Sequence, residues 1–404
     1  MNTSPTALAG VRVLDLSRVL AGPWATQILG DLGAEVIKIE KPGAGDDTRS
    51  WGPPFTTTPD GAQGDAAYYL AANRNKRSVA IDFAKPEGAA LVKRLAPQCQ
   101  ILVENFKTGG LQRYSLDYAS IAAINPAIVY CSITGFGQTG PYAKRPGYDY
   151  MIQAMGGLMS LTGETDGEPM KSAVAVADLF TGMYAVTAIL AALRHAERTG
   201  EGQHLDVSLL DCQIAMLANL GMNYLVSGEE PKRLGNAHAS IAPYQVFATA
   251  DGHVVLAVGN DGQFHDFCAA AGLPLADDPR FAHNAARIAN RLALTEAIGA
   301  AMQQRPTAEW ISALEAAGVP CGPINTLPQV FSDPHVIARQ AVHTMTRENG
   351  AEVRLTANPI RMSKTPPRAD HAPPSLGADT DSVLTTLLNA NDKELRALRE
   401  AGVI

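Results

Sequence analysis

The sequence predicts an α/β fold, with a large domain on a doubly wound parallel sheet and a smaller α+β domain after it. Short apolar runs alternate with amphipathic helical segments along the first part of the chain, which is the pattern of repeated βαβ units. The runs have the length and composition of strands buried on both faces. Glycines and prolines mark the turns between them. These observations favour a Rossmann-like large domain.

The opening segment, residues 11–41, defines the first βαβ unit. It predicts a strand at Val11–Leu16, a helix at about 23–32 and a second strand at Glu35–Glu40. A dinucleotide-binding turn would carry G-x-G-x-x-G, whereas the turn at 17–23 has a single glycine. One glycine cannot supply both the tight turn and the close approach to a pyrophosphate. We therefore expect no NAD, and an adenine nucleotide such as coenzyme A held by side-chain cations.

The alternation continues through a large domain expected at residues 1–226. Further strands are predicted at Ser78–Asp82, Ile101–Glu104, Ile128–Ile133 and His204–Leu209, and helices at Pro86–Leu95, Leu116–Ile124, Leu179–His195 and Asp211–Val226. A small domain at 227–326 should contain a hairpin of Tyr244–Thr249 and His253–Val258, with helices at about 262–271, 284–303 and 307–318. Residues 327–404 should return to the large domain.

Composition and charge exclude several classes of protein. The chain has 404 residues and a net charge of −7, which argues against nucleic-acid binding. Residues 1–120 hold 13 Lys and Arg against 12 Asp and Glu, so +1 there leaves −8 elsewhere. Clustered cations in this near-neutral region suit a small polyanionic ligand. No signal peptide, membrane-spanning run or C-x-x-C pair is evident. We expect a cytoplasmic protein with no membrane partner.

Asp178 is the residue best placed for chemistry. It stands between an apolar run and the long apolar helix predicted at Leu179–His195. One interpretation is a helix N-cap that accepts bonds from first-turn amides. The other is a nucleophile, because a poorly hydrated carboxylate at a helix N-terminus can attack an activated acyl group. The two interpretations are compatible.

Two further segments carry candidate ligand-binding side chains. Asn75, Lys76 and Arg77 directly precede a predicted strand, and Asn105 and Phe106 directly follow the next one. The first group is either a solvated loop or a phosphate clamp. Open α/β sheets bind ligands at the carboxyl edge, and we expect both groups there. Phe106 could stack on adenine, and the nearby Arg113 could add positive charge.

Two loops of the small domain offer weaker candidates. His238 lies between glycine-punctuated segments and either makes a structural hydrogen bond or contacts a substrate. The segment Gly259-Asn260-Asp261-Gly262-Gln263 is either a simple turn or a mobile lid over a reactive intermediate. No zinc-ligand spacing, G-x-S-x-G motif or Walker A motif occurs.

Taken together, these motifs resemble the family III coenzyme A transferases over nearly the whole chain. The matching segments are Leu14–Ser17, Ala21–Pro23, Gly33–Glu40, Asn75–Ser78, Glu104–Phe106, Ser132–Gly137, Asp178 before Thr181-Gly182, Gly200–Gln203 and Gly318–Pro323.

The resemblance implies an enzyme in which Asp178 attacks an acyl-CoA thioester and then carries CoA as an aspartyl thioester. It also implies an interlocked, ring-like homodimer, and no metal, NAD or flavin. By position, the residues that would line the CoA site are Val19, Lys41, Asn75, Lys76, Arg77, Asn105, Phe106 and Arg113. The 259–263 loop would cover the aspartyl intermediates, which must be kept from water.

The same family includes 2-methylacyl-CoA racemases, which use a histidine and an aspartate as bases. Their Gly-His-Asp motif reads Gly147-Tyr148-Asp149 here. Tyrosine, with a pKa near 10, is a poor base at neutral pH, so the transferase is favoured. A racemase, or a non-catalytic acyl-CoA-binding protein in which Asp178 only caps its helix, remains the alternative.

The substrate pair is suggested by three segments near the domain boundary. Asn223–Leu225, Pro231–Arg233 and Gly235–Ser240 look most like the branch that uses succinyl-CoA with glutarate or 3-hydroxy-3-methylglutarate. Arg233, His238 and Ser240 are candidates to bind the second carboxylate of such an acid, and Phe136 and Tyr148 are further candidates for the substrate site. Formyl-CoA/oxalate and carnitine transferases share the scaffold and remain alternatives.

Overall fold

A computed structural model describes residues 6–404 and divides the chain into two compact units. The larger unit comprises residues up to 156, 173–217 and 335–404, and the smaller comprises 157–172 and 218–334. The strands are β1 (Arg12–Asp15), β2 (Glu35–Glu40), β3 (Phe55–Thr57), β4 (Gln63–Ala66), β5 (Lys76–Ala80), β6 (Ile101–Glu104), β7 (Val129–Thr134), β8 (Gln203–Ser208), β9 (Tyr244–Ala248), β10 (His253–Ala257), β11 (Cys321–Pro323), β12 (Val342–Thr346) and β13 (Glu352–Thr356).

In the larger unit, helices cover both faces of the sheet. In the smaller unit, they make up most of the regular structure. They are α1 (Ala21–Asp31), α2 (Ala67–Leu70), α3 (Pro86–Leu95), α4 (Tyr118–Ala122), α5 (Asp149–Met155), α6 (Leu158–Leu161), α7 (Val176–Thr199), α8 (Leu209–Met216), α9 (Ala218–Ser227), α10 (Asp261–Ala271), α11 (Asn284–Ala289), α12 (Arg291–Met302), α13 (Thr307–Ala316), α14 (Leu327–Ser332), α15 (Pro334–Ala338), α16 (Thr380–Leu388) and α17 (Asp392–Glu400).

The larger unit is built on a six-stranded parallel sheet in the order β5-β2-β1-β6-β7-β8. Its strands alternate side chains between two apolar layers. Val13 of β1 packs with α1 and α7, whereas Leu14 faces α3 and α16 on the other side. The α/β class with a doubly wound parallel sheet is therefore confirmed. The order in which successive strands are added to the sheet reverses between β1 and β6. Open α/β sheets bind their ligands outside the carboxyl ends of the strands at such a switch point.

Most elements agree with the sequence predictions, and the differences have local causes. The helix predicted at 284–303 is two helices that break at Asn290, whose side-chain amide donates to the Ala286 carbonyl. Likewise, the helix predicted at 211–226 is α8 and α9, with Ala218 at a φ of 45°. Helix α7 is longer than predicted. It has the length and hydropathy of a membrane span, but it packs in the core of the larger unit.

The smaller unit has its own core. A three-stranded antiparallel sheet, β11-β10-β9, packs against α10, α12 and α13 around Phe247, Leu256, Phe267 and Trp310. Residues 157–172 belong to this unit, although they lie within the predicted large domain. Residues from His335 onward belong to the larger unit, where the main-chain N–H of Asp379 donates to the Ser78 carbonyl on the edge strand β5.

A buried ion pair supports the turn between β1 and α1. The side chains of Asp15 and Lys76 are fully enclosed, with Nζ 3.2 Å from Oδ2. The same carboxylate accepts bonds from the hydroxyls of Ser17 and Thr26, and Lys76 also donates to the Pro23 carbonyl at 2.9 Å. These groups satisfy one another, as buried charges must. Lys76 therefore belongs to the support of the turn.

We predict that Lys76→Ala lowers the free energy of unfolding by roughly 3 kcal/mol, because the Asp15 carboxylate is left buried without its cation. Urea denaturation followed by circular dichroism measures this loss. Lys393→Ala, on the exposed face of α17, is the control and should change stability by less than about 0.5 kcal/mol. A Lys76 variant as stable as the wild type but weak in CoA binding would contradict this assignment.

Candidate active site

A cavity of about 400 Å³ opens outside the carboxyl ends of the central strands of the larger unit. Its lining comes from the segments that follow β1, β2, β5, β6, β7 and β8, and from the first turn of α7. Asp178, Val19, Asn105, Phe106, Arg113 and Tyr148 all lie in this lining, as do Arg18, Trp51, Phe83, Lys107, Tyr114 and Arg145. The topology thus gathers residues that are more than a hundred positions apart in the chain.

The turn after β1 is held in a strained conformation. Val19 has a φ of 71°, which is unusual for a β-branched residue and costs on the order of 1–3 kcal/mol. Its N–H points at the buried carboxylate of Asp46, which in turn pairs with Lys38 at 2.9 Å. The Asn105 side chain accepts the N–H of Arg18 at 2.9 Å and donates to its carbonyl at 2.6 Å. The two strand ends are therefore fixed to each other.

One wall of the cavity is aromatic. The rings of Phe106 and Tyr114 each meet the ring of Phe83 edge to face, with centroids 5.6 Å apart. The Arg18 guanidinium lies 5.1 Å from the Phe106 centroid, and that of Arg113 lies 4.6 Å from the Tyr114 centroid. Flat apolar rings beside guanidinium groups suit a planar base that carries phosphates.

Positive charge exceeds negative charge around the opening. Arg18, Lys107, Arg113 and Arg145 line it, against two acids, Asp47 and Asp178. Asp47 is already paired with Arg18 at 3.1 Å. The cavity therefore favours an anionic ligand, while Asp178 is left as its single unpaired carboxylate.

Asp178 is in the first turn of α7 and does not cap the helix. The N-cap position is Ala175, and Asp149 of α5 takes the capping role from outside. One Asp149 oxygen accepts the main-chain N–H groups of Ala177 at 2.8 Å and Asp178 at 3.3 Å. The other accepts the side-chain amide of Gln153 at 2.7 Å. The helix terminus is thus satisfied without the Asp178 side chain.

Two close backbone contacts made by glycines bring these carboxylates to the cavity. A side chain at Gly182, one turn after Asp178, would have its Cβ 2.9 Å from the Ala21 carbonyl, so glycine allows α7 to lie against α1. Gly135 and Gly147 pack backbone to backbone, since a Cβ on either would come within 2.5 Å of the other's Cα. The second contact leads the chain past the end of β7 and into Tyr148 and Asp149.

The environment of Asp178 disfavours its charged form. Burial, and then the nearby Asp149 carboxylate, raise the pKa of Asp178 to about 7. Burial, and then the carboxylates of Asp178 and Asp149, raise the pKa of the Tyr68 phenol, whose ring meets that of Trp51. Among residues 6–404, none donates a hydrogen bond to the Asp178 carboxylate. At neutral pH it is therefore a weakly solvated group with an appreciable fraction ionised, as a nucleophile requires.

Several predicted contacts lie elsewhere. Asn75, Lys76 and Arg77 stand at the amino end of β5, so the expectation that they share an edge with Asn105 is wrong. The Asn75 amide bonds Asp31 at 2.7 Å, and Arg77 pairs with Glu35 at 2.7 Å. The physical reason is direction, because residues that precede a parallel strand lie at the edge opposite those that follow one.

Two more of the predicted residues of the larger unit are outside the lining. Lys41 is exposed immediately after β2. Phe136 is buried in the apolar layer that contains α7, with its ring edge to face with Tyr142 at 5.6 Å. Phe136 is therefore a core residue.

The remaining candidates lie in the smaller unit and are held by local contacts. Arg233 donates to the carbonyls of Glu164 at 3.2 Å and Gly167 at 2.6 Å. His238 Nδ1 accepts the main-chain N–H of Ser240 at 3.0 Å. The 259–263 segment, which includes Gly262, forms the start of α10. The Asn260 side chain caps the helix by accepting the N–H of Gln263, and the Gln263 side chain accepts the N–H of Gly259. Asp261 forms an ion pair with Arg287.

Comparison with known proteins identifies the family. The model of CoA-transferase family III matches residues 8–380. This chain belongs to CoA-transferase family III. It is 53% identical over 94% of its length to a succinate–glutarate CoA-transferase of Agrobacterium fabrum, covering 95% of that protein. It is 44% identical over 98% of its length to a human succinyl-CoA:glutarate CoA-transferase, covering 90% of that protein.

A solved structure gives the same result for the fold. A CAIB/BAIF family protein from Brucella suis superposes with a TM-score of 0.84 at 50% identity, covering 95% of this chain and 99% of that one. The protein is therefore a CoA-transferase enzyme, and acyl-CoA thioesters are its substrates.

Sequence reasoning overlooked several residues of this transferase site. Arg18 shares the turn of Val19, and Asp149 completes the Gly147-Tyr148-Asp149 motif, so both had a signal nearby. Phe83 and Arg145 had none, because each reaches the cavity from a loop whose path depends on the packed sheet. Asp149 matters most, because it caps α7 and its charge helps to raise the pKa of Asp178.

We predict that Asp178→Asn stabilises the transferase at high pH only. A carboxyl group whose pKa is raised on folding takes up a proton as it folds, so stability falls as pH rises from about 4 to 7. The variant lacks this loss and should be more stable than the wild type by roughly 2 kcal/mol at pH 8, and equal to it near pH 4. Thermal unfolding across pH measures the difference. Asp211→Asn, exposed in the first turn of α8, should show no such trend.

Proposed function

We propose that this enzyme transfers CoA from succinyl-CoA to glutarate through an aspartyl-CoA thioester on Asp178. The observation that carries the mechanism is the position of Asp178, unpaired and poorly solvated in a cavity lined with cations and aromatic rings. The relatives that act on succinate or succinyl-CoA and glutarate support the acid pair, with 53% and 44% identity over nearly the full chain.

The reaction begins with the Asp178 carboxylate. It attacks the thioester carbonyl of succinyl-CoA, the C–S bond breaks, and CoA leaves as a thiolate, so that a mixed anhydride joins Asp178 to the succinyl group. The thiolate then attacks the Asp178 carbonyl carbon and expels succinate, which gives the aspartyl-CoA thioester. Glutarate repeats the two steps in reverse. Each intermediate keeps the energy of the thioester, provided that water is excluded.

The nucleotide end of acyl-CoA occupies the aromatic wall in this proposal. The adenine base lies against Phe106 and Tyr114, with Val19 and Asn105 shaping the turn beside it. Arg18, Lys107 and Arg113 provide cations for the phosphates, and Lys41, exposed outside the lining, remains our candidate for a contact with the far end of the nucleotide. Asn75, Lys76 and Arg77 are omitted, because their bonds within the larger unit explain them.

The smaller unit contributes the dicarboxylate contacts in this proposal. Because His238 accepts at Nδ1, its neutral form carries the proton on Nε2 and offers it to a substrate carboxylate. Arg233 and Ser240 complete this set, and the 259–263 segment covers the aspartyl intermediates. Tyr148 is 67% exposed at the cavity. It takes the position of the histidine in the racemase motif, so the racemase alternative lacks one of its two bases here.

We also propose an interlocked homodimer that works in the cytoplasm. The support for a partner subunit is a set of large apolar side chains left exposed on α5 and α7 of the larger unit and on α9 of the smaller one. They are Tyr150, Met151, Phe180, Met183, Tyr184, Met222, Tyr224, Leu225 and Val226. The cytoplasmic assignment is supported by five thiols with no disulfide among the described residues.

The nucleophile is tested by trapping. With succinyl-CoA present, hydroxylamine or borohydride should mark Asp178, and peptide mass spectrometry locates the product. Asp178→Asn should lower kcat by at least roughly 10³-fold, since the covalent route is lost, and should leave the Kd for CoA within about threefold. Asp211→Asn is the matched control, because it too replaces an aspartate in the first turn of a helix. A variant at position 178 that keeps most of its turnover would refute the mechanism.

The acid pair is tested with a panel of donors and acceptors. We expect the highest kcat/KM with succinyl-CoA and glutarate, followed by other dicarboxylates, because a second carboxylate needs a hydrogen-bonding partner in the site. Rates are read by chromatography of the CoA esters. Faster transfer to oxalate, formate or carnitine would contradict the proposed pair and leave the transferase mechanism standing.

A further inference from the structure

A buried carboxyl group lies behind the aromatic wall and has no part in the mechanism above. Glu104 is the last residue of β6 and is 6% exposed. Its Oε2 accepts the main-chain N–H of Phe106 at 2.8 Å. Within residues 6–404, neither Lys nor Arg forms an ion pair with it. Such a group is costly to bury, so its position one residue before the cavity-lining Asn105 calls for an explanation.

Two side chains on the neighbouring strands continue from this carboxyl group. Ser132 of β7 is in register with Glu104 across the parallel pair of strands. Burial raises the pKa of Glu104 to about 7, and the nearby Ser132 hydroxyl acts in the opposite direction. The same hydroxyl lies 2.9 Å from Nε2 of His204 on β8. When Glu104 is ionised, its carboxylate can only accept, so the Ser132 hydroxyl presents its proton to that carboxylate and accepts from His204. A row of polar groups therefore runs from His204 through Ser132 to Glu104, whose Oε2 accepts the Phe106 N–H.

The histidine end of this row is fixed by aromatic contacts. The His204 ring stacks on Tyr118 with centroids 4.9 Å apart, and Tyr130 meets it edge to face at 5.5 Å. Burial lowers the pKa of His204, which favours the neutral ring. The ring at the start of the row is therefore held in one orientation.

The other end of the row sets the backbone beside the cavity. Side chains on a strand alternate between its faces. Asn105 consequently reaches the opposite way from Glu104 and clamps the backbone of Arg18. The main chain that enters Phe106 is thus gripped from both faces of the sheet. This fixes the Phe106 ring in contact with Phe83 and beside the Arg18 guanidinium.

We propose that Glu104, Ser132 and His204 act together as positioning residues for Phe106, and through it for the adenine end of acyl-CoA. This inference rests on the proposed function, because it needs the nucleotide to lie on the aromatic wall. It assigns the three residues to binding of the nucleotide and gives them no role in acyl transfer at Asp178.

The test compares two donors: succinyl-CoA, and succinyl-pantetheine, which keeps the thioester and lacks the adenine nucleotide. Glu104→Leu and Ser132→Ala should each raise the KM for succinyl-CoA by roughly tenfold, the size expected for a lost hydrogen bond to a charged group. The kcat should stay within about twofold, and kcat/KM for succinyl-pantetheine should not change. Glu104→Gln should recover most of the KM, because its amide oxygen still accepts the Phe106 N–H.

A matched control separates positioning from general damage to the core. Tyr130→Phe removes a buried hydrogen bond to the Leu116 carbonyl, 2.8 Å long, in the same layer. It keeps the ring beside His204, and should lower the melting temperature without discriminating between the donors. If Glu104→Leu and Ser132→Ala impair both donors equally, or neither, the positioning role is wrong.

Direct binding keeps this test separate from the test of the mechanism. Calorimetry with CoA should show a roughly tenfold weaker Kd for Glu104→Leu and no change for Tyr130→Phe. This result does not depend on turnover, so it holds even if Asp178 forms no adduct. An unchanged Kd for Glu104→Leu would overturn the inference while the aspartyl mechanism stood.

Discussion

The chemistry of this transferase depends on a helix that is capped by a residue outside it. Asp149 accepts the first amides of α7 and so relieves Asp178 of the capping role that its position would otherwise give it. The Asp178 carboxylate is left without a donor, and burial together with the charge of Asp149 raises its pKa to about 7. One interaction therefore both frees the carboxylate that we propose as the nucleophile and disfavours its ionised form.

A second constraint shapes the cavity that this carboxylate faces. The Asp15–Lys76 pair and the Lys38–Asp46 pair, both buried, hold the turn after β1 in a conformation that Val19 would not adopt alone. Strain of this kind persists only where its surroundings over-determine it. Here they do so beside the switch point of the sheet, where the nucleotide wall and Asp178 face one cavity. The buried charges thus serve the geometry of the edge, since an apolar core would be a cheaper source of stability.

How far the sequence predicted the structure depended on whether the decisive contacts were local. Pro86–Leu95 and Ile101–Glu104 have the predicted bounds, because proline at the first helical turn and an apolar strand between polar ends act within a few residues. The prediction that residues 75–77 lie at the carboxyl edge of the sheet is wrong. A cluster of cations in a sequence suggests a phosphate site, because the carboxylates that pair with it cannot be seen there. Those partners, Asp15, Asp31 and Glu35, are distant in the chain and appear only when the strands pair.

By itself the sequence determined the α/β class, the order of most strands and helices, and the family, and it singled out Asp178 as the proposed nucleophile. Each of these follows from local periodicity or from motifs that are short segments of sequence. The tertiary structure decided which side chains meet: that Asp149 caps α7, that Phe83 and Arg145 reach the cavity, and that Ser132 is in register with Glu104 and contacts His204. Such contacts depend on strand register and on the packing of α7 against α1, which bring together residues that no local pattern connects.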